Sequence, residues 1–84
     1  MRVITFTMAK KEVKEGEEPQ KGLYFHTYMM KKLYIKPGES IDVPIRDEGV
    51  GYYSNWTNDD IVKYYDERYK EYGITTTVSG SVNG

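Results

Sequence analysis

Residues 56–73 read WTNDDIVKYYDERYKEYG, and this stretch predicts a helix. Thr57 is followed three residues later by Asp60, the spacing of a capping box, in which each side chain accepts a hydrogen bond from the other residue's backbone N–H. Gly73 fits the left-handed position that commonly follows the last helical residue. We therefore expect the helix to run from about 58 to 72.

The apolar side chains of this helix recur every three to four residues, which predicts one buried stripe. Trp56, just before the cap, is spaced to pack on Ile61 as a hydrophobic staple. The expected stripe consists of Ile61, Val62, Tyr65, Tyr69 and Tyr72, with Tyr64 at its margin.

Alternation of apolar and polar residues predicts strands on both sides of the helix. Residues 2–9 alternate, with Ile4, Phe6 and Met8 on the inward side. Residues 40–45 alternate too, and Pro44 lacks the N–H that a central strand needs, so we place them at a sheet edge. The β-rich residues 74–79 form the closing strand.

Residues 23–35 also alternate, and Lys31 interrupts the pattern, so we expect a bend or bulge near Met30. A turn at 36–39, with Pro and Gly placed as in a type II turn, follows. The inward set is Leu23, Phe25, Thr27, Met29, Leu33 and Ile35, and the outward set is Tyr24, His26, Tyr28, Met30, Lys32 and Tyr34.

Two further segments contain too few apolar residues to fill a core. Residues 10–22 are mostly charged and are interrupted by Gly and Pro, which predicts a charged flexible loop. Residues 80–84 are expected to fray. The chain is thus predicted to be a single small α+β domain over 1–84, a mostly antiparallel sheet of about four to five strands with one amphipathic helix packed on one face.

The composition of the chain argues against several classes of function. With 84 residues the core is thin, and 12 basic against 13 acidic residues give a net charge of −1, unlike a strongly basic nucleic-acid-binding domain. The chain has no cysteine, which removes disulfides, thiolate nucleophiles and cysteine-based zinc sites. Neither a signal peptide nor a membrane-spanning run is recognisable, so we expect a cytoplasmic protein that begins at Met1 and has no membrane partner.

Catalytic and cofactor motifs are not recognisable either. His26 is the single histidine, and no Ser, Thr or Cys partner for it can be identified from sequence, so a half-exposed strand histidine is the favoured interpretation over a catalytic one. No spacing of His, Asp and Glu resembles a metal site. We expect no catalytic residue, no metal and no cofactor, and a protein that is not an enzyme.

Tyrosine is the most informative residue type, with nine copies among 84 residues. A tyrosine combines apolar ring area with a hydroxyl that needs a hydrogen-bond partner, which suits protein interfaces. The first hypothesis is a protein-binding module whose partner is a host protein, with a homodimer through the edge strand or the same face as a variant of it. Its expected contact residues are Tyr24, His26, Tyr28, Tyr34, Tyr52, Tyr53 and Trp56.

The alternative hypothesis is binding of single-stranded nucleic acid or a nucleotide on the same outward strand face. Aromatic side chains stack on bases, and Lys32 and Lys36 would neutralise phosphates there. In its general character, small, aromatic-rich, cysteine-free and without catalytic motifs, the chain resembles the compact accessory and inhibitor proteins of bacteriophages and mobile elements. That resemblance rests on no particular residue and implies a host protein, or a host complex that handles nucleic acid, as the target.

Overall fold

The computed structural model describes residues 1–28, 31–45 and 53–81, and it confirms the predicted α+β class. Within these residues the chain forms five strands and one helix that ends in a 3₁₀ turn. The elements are β1 Arg2–Met8, β2 Leu23–His26, β3 Lys32–Ile35, β4 Ser40–Ile45, α1 Asn58–Tyr69 with its 3₁₀ turn Lys70–Tyr72, and β5 Ile74–Ser79.

The described strands divide between two antiparallel ladders. The larger ladder has the order β4-β1-β5, and the smaller pairs β2 with β3. Strand β4 lies at one edge of the larger ladder, and its Pro44 is opposite Val3 of β1. The prediction that residues 40–45 form an edge strand is therefore confirmed. A turn with the Glu39 N–H donating to the Lys36 carbonyl (3.0 Å) leads from β3 to β4 and so joins the two ladders.

Strand β1 is the centre of the larger ladder and alternates between buried and half-buried residues along its whole length. Its inward face contributes Ile4, Phe6 and Met8 to the core, as predicted. Arg2 has the same parity and is buried with them. The opposite face carries Val3 and two threonines, with Thr5 Oγ1 donating to the Asp42 carboxylate at 2.7 Å.

Residues 23–35 form a hairpin. The Thr27 N–H donates to the Lys31 carbonyl (2.9 Å), and Tyr24 lies opposite Tyr34. The chain therefore reverses where a bend or bulge was expected, although Met30 itself lies outside the described residues. The inward Phe25 and Ile35 are buried in the same core as β1.

The helix begins as predicted, because Thr57 and Asp60 form both hydrogen bonds of the capping box. It also ends as predicted, with Gly73 at a φ of +85°. Tyr72 differs from the expected buried stripe, since it is 51% exposed. The last turn has tightened to a 3₁₀ helix, and Tyr72 is its final residue, directly before Gly73.

The segment between β1 and β2 contains neither helix nor strand, as its composition predicted. Gln20 spans it, donating to the Ala9 carbonyl (2.8 Å) and accepting from the Lys11 N–H (2.7 Å). At the other end of the chain, the fraying expected over 80–84 falls largely on residues outside the described ones. Within the described ranges, no helix is long and apolar enough to cross a membrane.

Candidate binding surfaces

Arg2 fixes the segment that precedes the helix. Its guanidinium is fully buried and donates to two backbone carbonyls, Nη1 to Trp56 (2.8 Å) and Nη2 to Tyr53 (2.7 Å). Nη1 also donates to Asn58 Oδ1 (3.2 Å). Five rigidly placed donors allow one arginine to hold several acceptors at once. The central strand thus holds the start of the helix in position.

Two buried hydroxyls form the second link in this region. The hydroxyls of Tyr53 and Tyr65 share a hydrogen bond, and Tyr65 Oη also accepts from the backbone N–H of Tyr28 at 2.9 Å. Burial raises the pKa of both Tyr53 and Tyr65 above the usual tyrosine value. The two groups therefore stay protonated at neutral pH, as shared hydrogen bonding between hydroxyls requires.

Five rings meet beside these hydroxyls, and we call them the aromatic cluster. Trp56 is central, with ring centroids 4.9 Å from Tyr28, 5.4 Å from Tyr53 and 5.2 Å from Tyr64. Edge-to-face and tilted contacts at these distances are favourable for aromatic pairs. The members of the cluster are Tyr28, Tyr53, Trp56, Tyr64 and Tyr65.

An open groove of about 400 Å³ runs along the exposed edge of the aromatic cluster. Trp56 and Tyr64, both half-buried, supply its aromatic wall. The backbone N–H of Thr57 donates to Asp60 and holds the pKa of that carboxyl below its usual value, so Asp60 is ionised. The groove is lined by Asn55, Trp56, Asp60, Lys63, Tyr64 and Glu67.

The ring of Tyr64 is in contact with a cationic side chain of the same chain, Arg68. The Arg68 guanidinium lies 3.6 Å from the ring centroid and donates through Nη1 to the Tyr64 carbonyl at 3.0 Å. Such a contact is a cation–π interaction, which arginine makes more often than lysine. The aromatic wall thus includes a ring that accepts a guanidinium within this chain.

The second surface is the outer side of the hairpin, Tyr24, His26, Lys32 and Tyr34, which we call the hairpin outer face. Tyr24 and Tyr34 are 63% and 42% exposed and touch each other across the strands, with a centroid distance of 4.4 Å. Lys32 Nζ lies 4.7 Å from the Tyr24 ring centroid. The outward parity expected for these four residues is observed.

Gly22 allows Tyr34 to lie close to the backbone that leads into the hairpin. A Cβ at this position would be 2.9 Å from the Ile35 carbonyl oxygen and would overlap the Tyr34 hydroxyl. Only a residue without a side chain leaves room for the ring in this position. The position of the Tyr24–Tyr34 pair therefore depends on the missing side chain at Gly22 as well as on the strand register.

The residues expected to form one contact surface are divided between two. Tyr28 and Trp56 belong to the aromatic cluster with Tyr53, which is 1% exposed. The hairpin outer face holds Tyr24, His26, Tyr34 and the expected cation Lys32. Lys36 is exposed just after β3, and Tyr52 lies outside the described residues.

Sequence reasoning missed the anchoring Arg2 and the groove residues Tyr64, Lys63 and Glu67. The parity of Arg2 with Ile4 was the one available signal for its burial.

His26 is exposed, and its backbone carbonyl accepts from Tyr69 Oη at 3.0 Å. In the described part of the chain, no three His, Asp or Glu side chains lie close enough together to hold a metal ion. Comparison with known proteins finds no matching family model, curated protein or solved structure.

Proposed function

We propose that this chain is a non-catalytic binding protein that docks onto a protein partner, in the manner of a small accessory or inhibitor protein acting on a host target. The docking site is the groove beside Trp56 and Tyr64, and its ligand is a partner segment that presents an arginine or lysine side chain. The observation that carries the proposal is an aromatic wall flanked by carboxylates and held by a buried arginine.

The chemistry of the groove supports a basic ligand. Among its described lining residues, Asp60 and Glu67 are acidic and Lys63 is basic. The aliphatic stem of an arginine or lysine can cover aromatic surface while its charged end reaches a carboxylate. Arg68 on the ring of Tyr64 shows the same contact within the chain.

The rigidity of the groove supports protein binding rather than a purely structural role. Trp, Tyr and Arg are the residue types that dominate binding hot spots, and preorganised side chains lose less entropy on binding. The side chain of Trp56 is held by ring contacts, and its backbone carbonyl is held by Arg2. Thr57, the residue after Trp56, is itself held by the hydrogen bonds of the helix cap.

Peptide display tests this proposal. Random 12-residue peptides would be selected on the folded chain, and synthetic versions of the winners titrated against it. Trp56 is the only tryptophan, so its fluorescence reports directly on the groove. We expect selected peptides to share an arginine or lysine beside an apolar residue and to change the Trp56 emission.

Two charge reversals on the same helix provide the matched control. Glu67 lines the groove, whereas Glu71 is exposed in the next turn. Glu67→Lys should weaken the selected peptides about ten-fold or more, and Glu71→Lys should leave them unchanged. Equal loss in both variants, or winners without a basic residue, would contradict the proposal.

A second copy of the chain is the competing occupant. Light scattering of the parent and the Glu67→Lys variant separates the two cases. A monomer is expected for both. A dimer that Glu67→Lys dissociates would mean that the groove binds another copy, and the host-partner proposal would then be wrong.

A further inference from the structure

We infer that the hairpin outer face is a second binding site, separate from the groove, and that its ligand is single-stranded nucleic acid. One exposed base stacks on Tyr24 or Tyr34, and the flanking phosphates are neutralised by Lys32 and Lys36. The inference does not depend on the groove, because the two surfaces share no residue.

The geometry of the tyrosine pair supports base stacking. The inward side chains Phe25 and Ile35 are buried, so the strands cannot turn their outer side chains into the core. Tyr24 and Tyr34 are therefore held outward on a fixed frame, directly opposite each other. Every base has a flat aromatic face, so two exposed rings on a sheet accept bases without needing a particular sequence.

The charge of the hairpin supports a polyanion. The hairpin, residues 23–35, contains two lysines and one histidine and no Asp or Glu, and Lys36 follows it, with its backbone N–H donating to the Glu39 carboxylate at 3.0 Å. Lys32 is already beside the ring of Tyr24, and His26 lies opposite Lys32 across the strands. An exposed cation–π contact is weak, so Lys32 is free to turn to a phosphate when a base takes its place on the ring.

An acidic protein is the competing ligand for a basic surface. Lysine is depleted in protein interfaces, whereas stacked aromatics next to lysines are the usual composition of sites for single strands. A duplex has no free base faces, so it can use only the charges. Single strand, duplex and acidic polypeptide are therefore distinguishable ligands.

The test is fluorescence anisotropy with a fluorescein-labelled 15-residue deoxythymidine strand. Two neutralised phosphates give a slope of log affinity against log salt of about −1.4, so affinity should fall about seven-fold between 50 and 200 mM NaCl. A 15-base-pair duplex should bind more weakly than the single strand. Binding that is undetectable at 50 mM, or equal for strand and duplex, overturns the inference.

Matched variants separate stacking from charge. Tyr24→Ala should lose about ten-fold or more in affinity, and Tyr72→Ala, an exposed tyrosine at the helix end, should lose nothing. Lys32→Ala should reduce the salt slope by about 0.7, and Lys70→Ala should not. Circular dichroism checks that each variant is folded. Equal losses for Tyr24→Ala and Tyr72→Ala, or full competition by polyglutamate at equal charge, would show that no base stacks there.

Discussion

The aromatic cluster and the hairpin outer face both contain tyrosines, and they differ in how the tyrosine hydroxyls are satisfied. In the cluster, the hydroxyls of Tyr53 and Tyr65 bind each other, and Tyr65 also accepts a backbone N–H. On the hairpin, Tyr24 and Tyr34 contribute ring contact to each other while much of their surface stays in water. A buried hydroxyl must be satisfied by the protein, whereas an exposed one is satisfied by solvent.

This difference explains how a thin core can accommodate so many tyrosines. The ring of Tyr65 contacts Phe6 at a centroid distance of 4.9 Å and so extends the apolar core. The neighbouring hydroxyl network links the segment before the helix to the middle of α1 and to the residue pair that follows β2. The rings of Tyr24 and Tyr34 add little to that core, which leaves them available for binding. Stability therefore depends on the cluster, and we expect binding of a single strand to depend on the hairpin.

Arg2 gives the largest expected effect, because the cluster depends on it and the hairpin outer face does not. Arg2→Ala leaves the carbonyls of Tyr53 and Trp56 without this donor and opens space beside the core. We expect a loss of at least about 3 kcal/mol in the free energy of unfolding, measured by urea denaturation. Arg2→Lys should recover only part of it, because an ammonium cannot reproduce the fork of donors.

The control for this experiment is Lys32→Ala on the hairpin outer face, which should change stability by less than about 0.5 kcal/mol. Similar losses in the two variants would contradict the division between the two regions. Trp56 fluorescence adds a local measurement, since loss of the Arg2 anchor should shift the emission to longer wavelength as the indole becomes more exposed.

Removal of a single hydroxyl gives the next largest effect. Tyr65→Phe removes the hydroxyl that accepts from the Tyr28 N–H and that shares a hydrogen bond with the buried hydroxyl of Tyr53. We expect a loss of about 1–3 kcal/mol, because an unsatisfied buried donor carries its full desolvation penalty. Tyr24→Phe removes the same atom from an exposed ring and should cost almost nothing in the same urea titration. A neutral Tyr65→Phe variant would mean that the buried hydroxyls do not hold the cluster together.

Local patterns predicted most of the fold. The capping box of Thr57 and Asp60 depends on residues three apart, and the buried side of β1 depends on alternation within one strand, so both are visible in the sequence. The outward position of Tyr24 and Tyr34 follows from the same alternation. Each of these features is determined by neighbours in the chain.

The features that could not be predicted depend on residues distant in sequence or on a change of geometry. The acceptors of Arg2 are 51 to 56 residues away in the sequence. The strand pattern places Arg2 on the inward side but does not indicate which groups accept its hydrogen bonds. Tyr28 has the parity of Tyr24, yet β2 ends at His26, after which parity no longer determines direction. Tyr28 therefore joins the aromatic cluster instead of the hairpin outer face.

Alkaline pH should also test the buried hydroxyls of the aromatic cluster. Burial raises the pKa of Tyr53 and Tyr65 in the folded chain, while the unfolded chain releases these protons near pH 10. The contribution of these two groups to the free energy of unfolding is therefore complete below about pH 10. It declines as the pH rises further, because the unfolded state then binds fewer protons than the folded state. Urea midpoints at pH 8 to 11 should fall above pH 10. Tyr65→Phe should flatten that decline, and a midpoint unaffected by pH in the parent would contradict the burial argument.

The smallest expected effect comes from the two cations that lie on tyrosine rings, one in each region. Arg68 is 3.6 Å from the centroid of Tyr64 and also binds its carbonyl, whereas Lys32 is 4.7 Å from the centroid of Tyr24. Replacement by glutamine keeps much of each side chain and removes the charge. Arg68→Gln should cost about 0.5–1 kcal/mol and Lys32→Gln less, because the closer cation also has a second bond to lose. Urea titrations of both variants beside the parent measure the difference. A larger loss at Lys32 would mean that the hairpin outer face is a structural element, and its exposed tyrosines would then no longer be available as a binding surface.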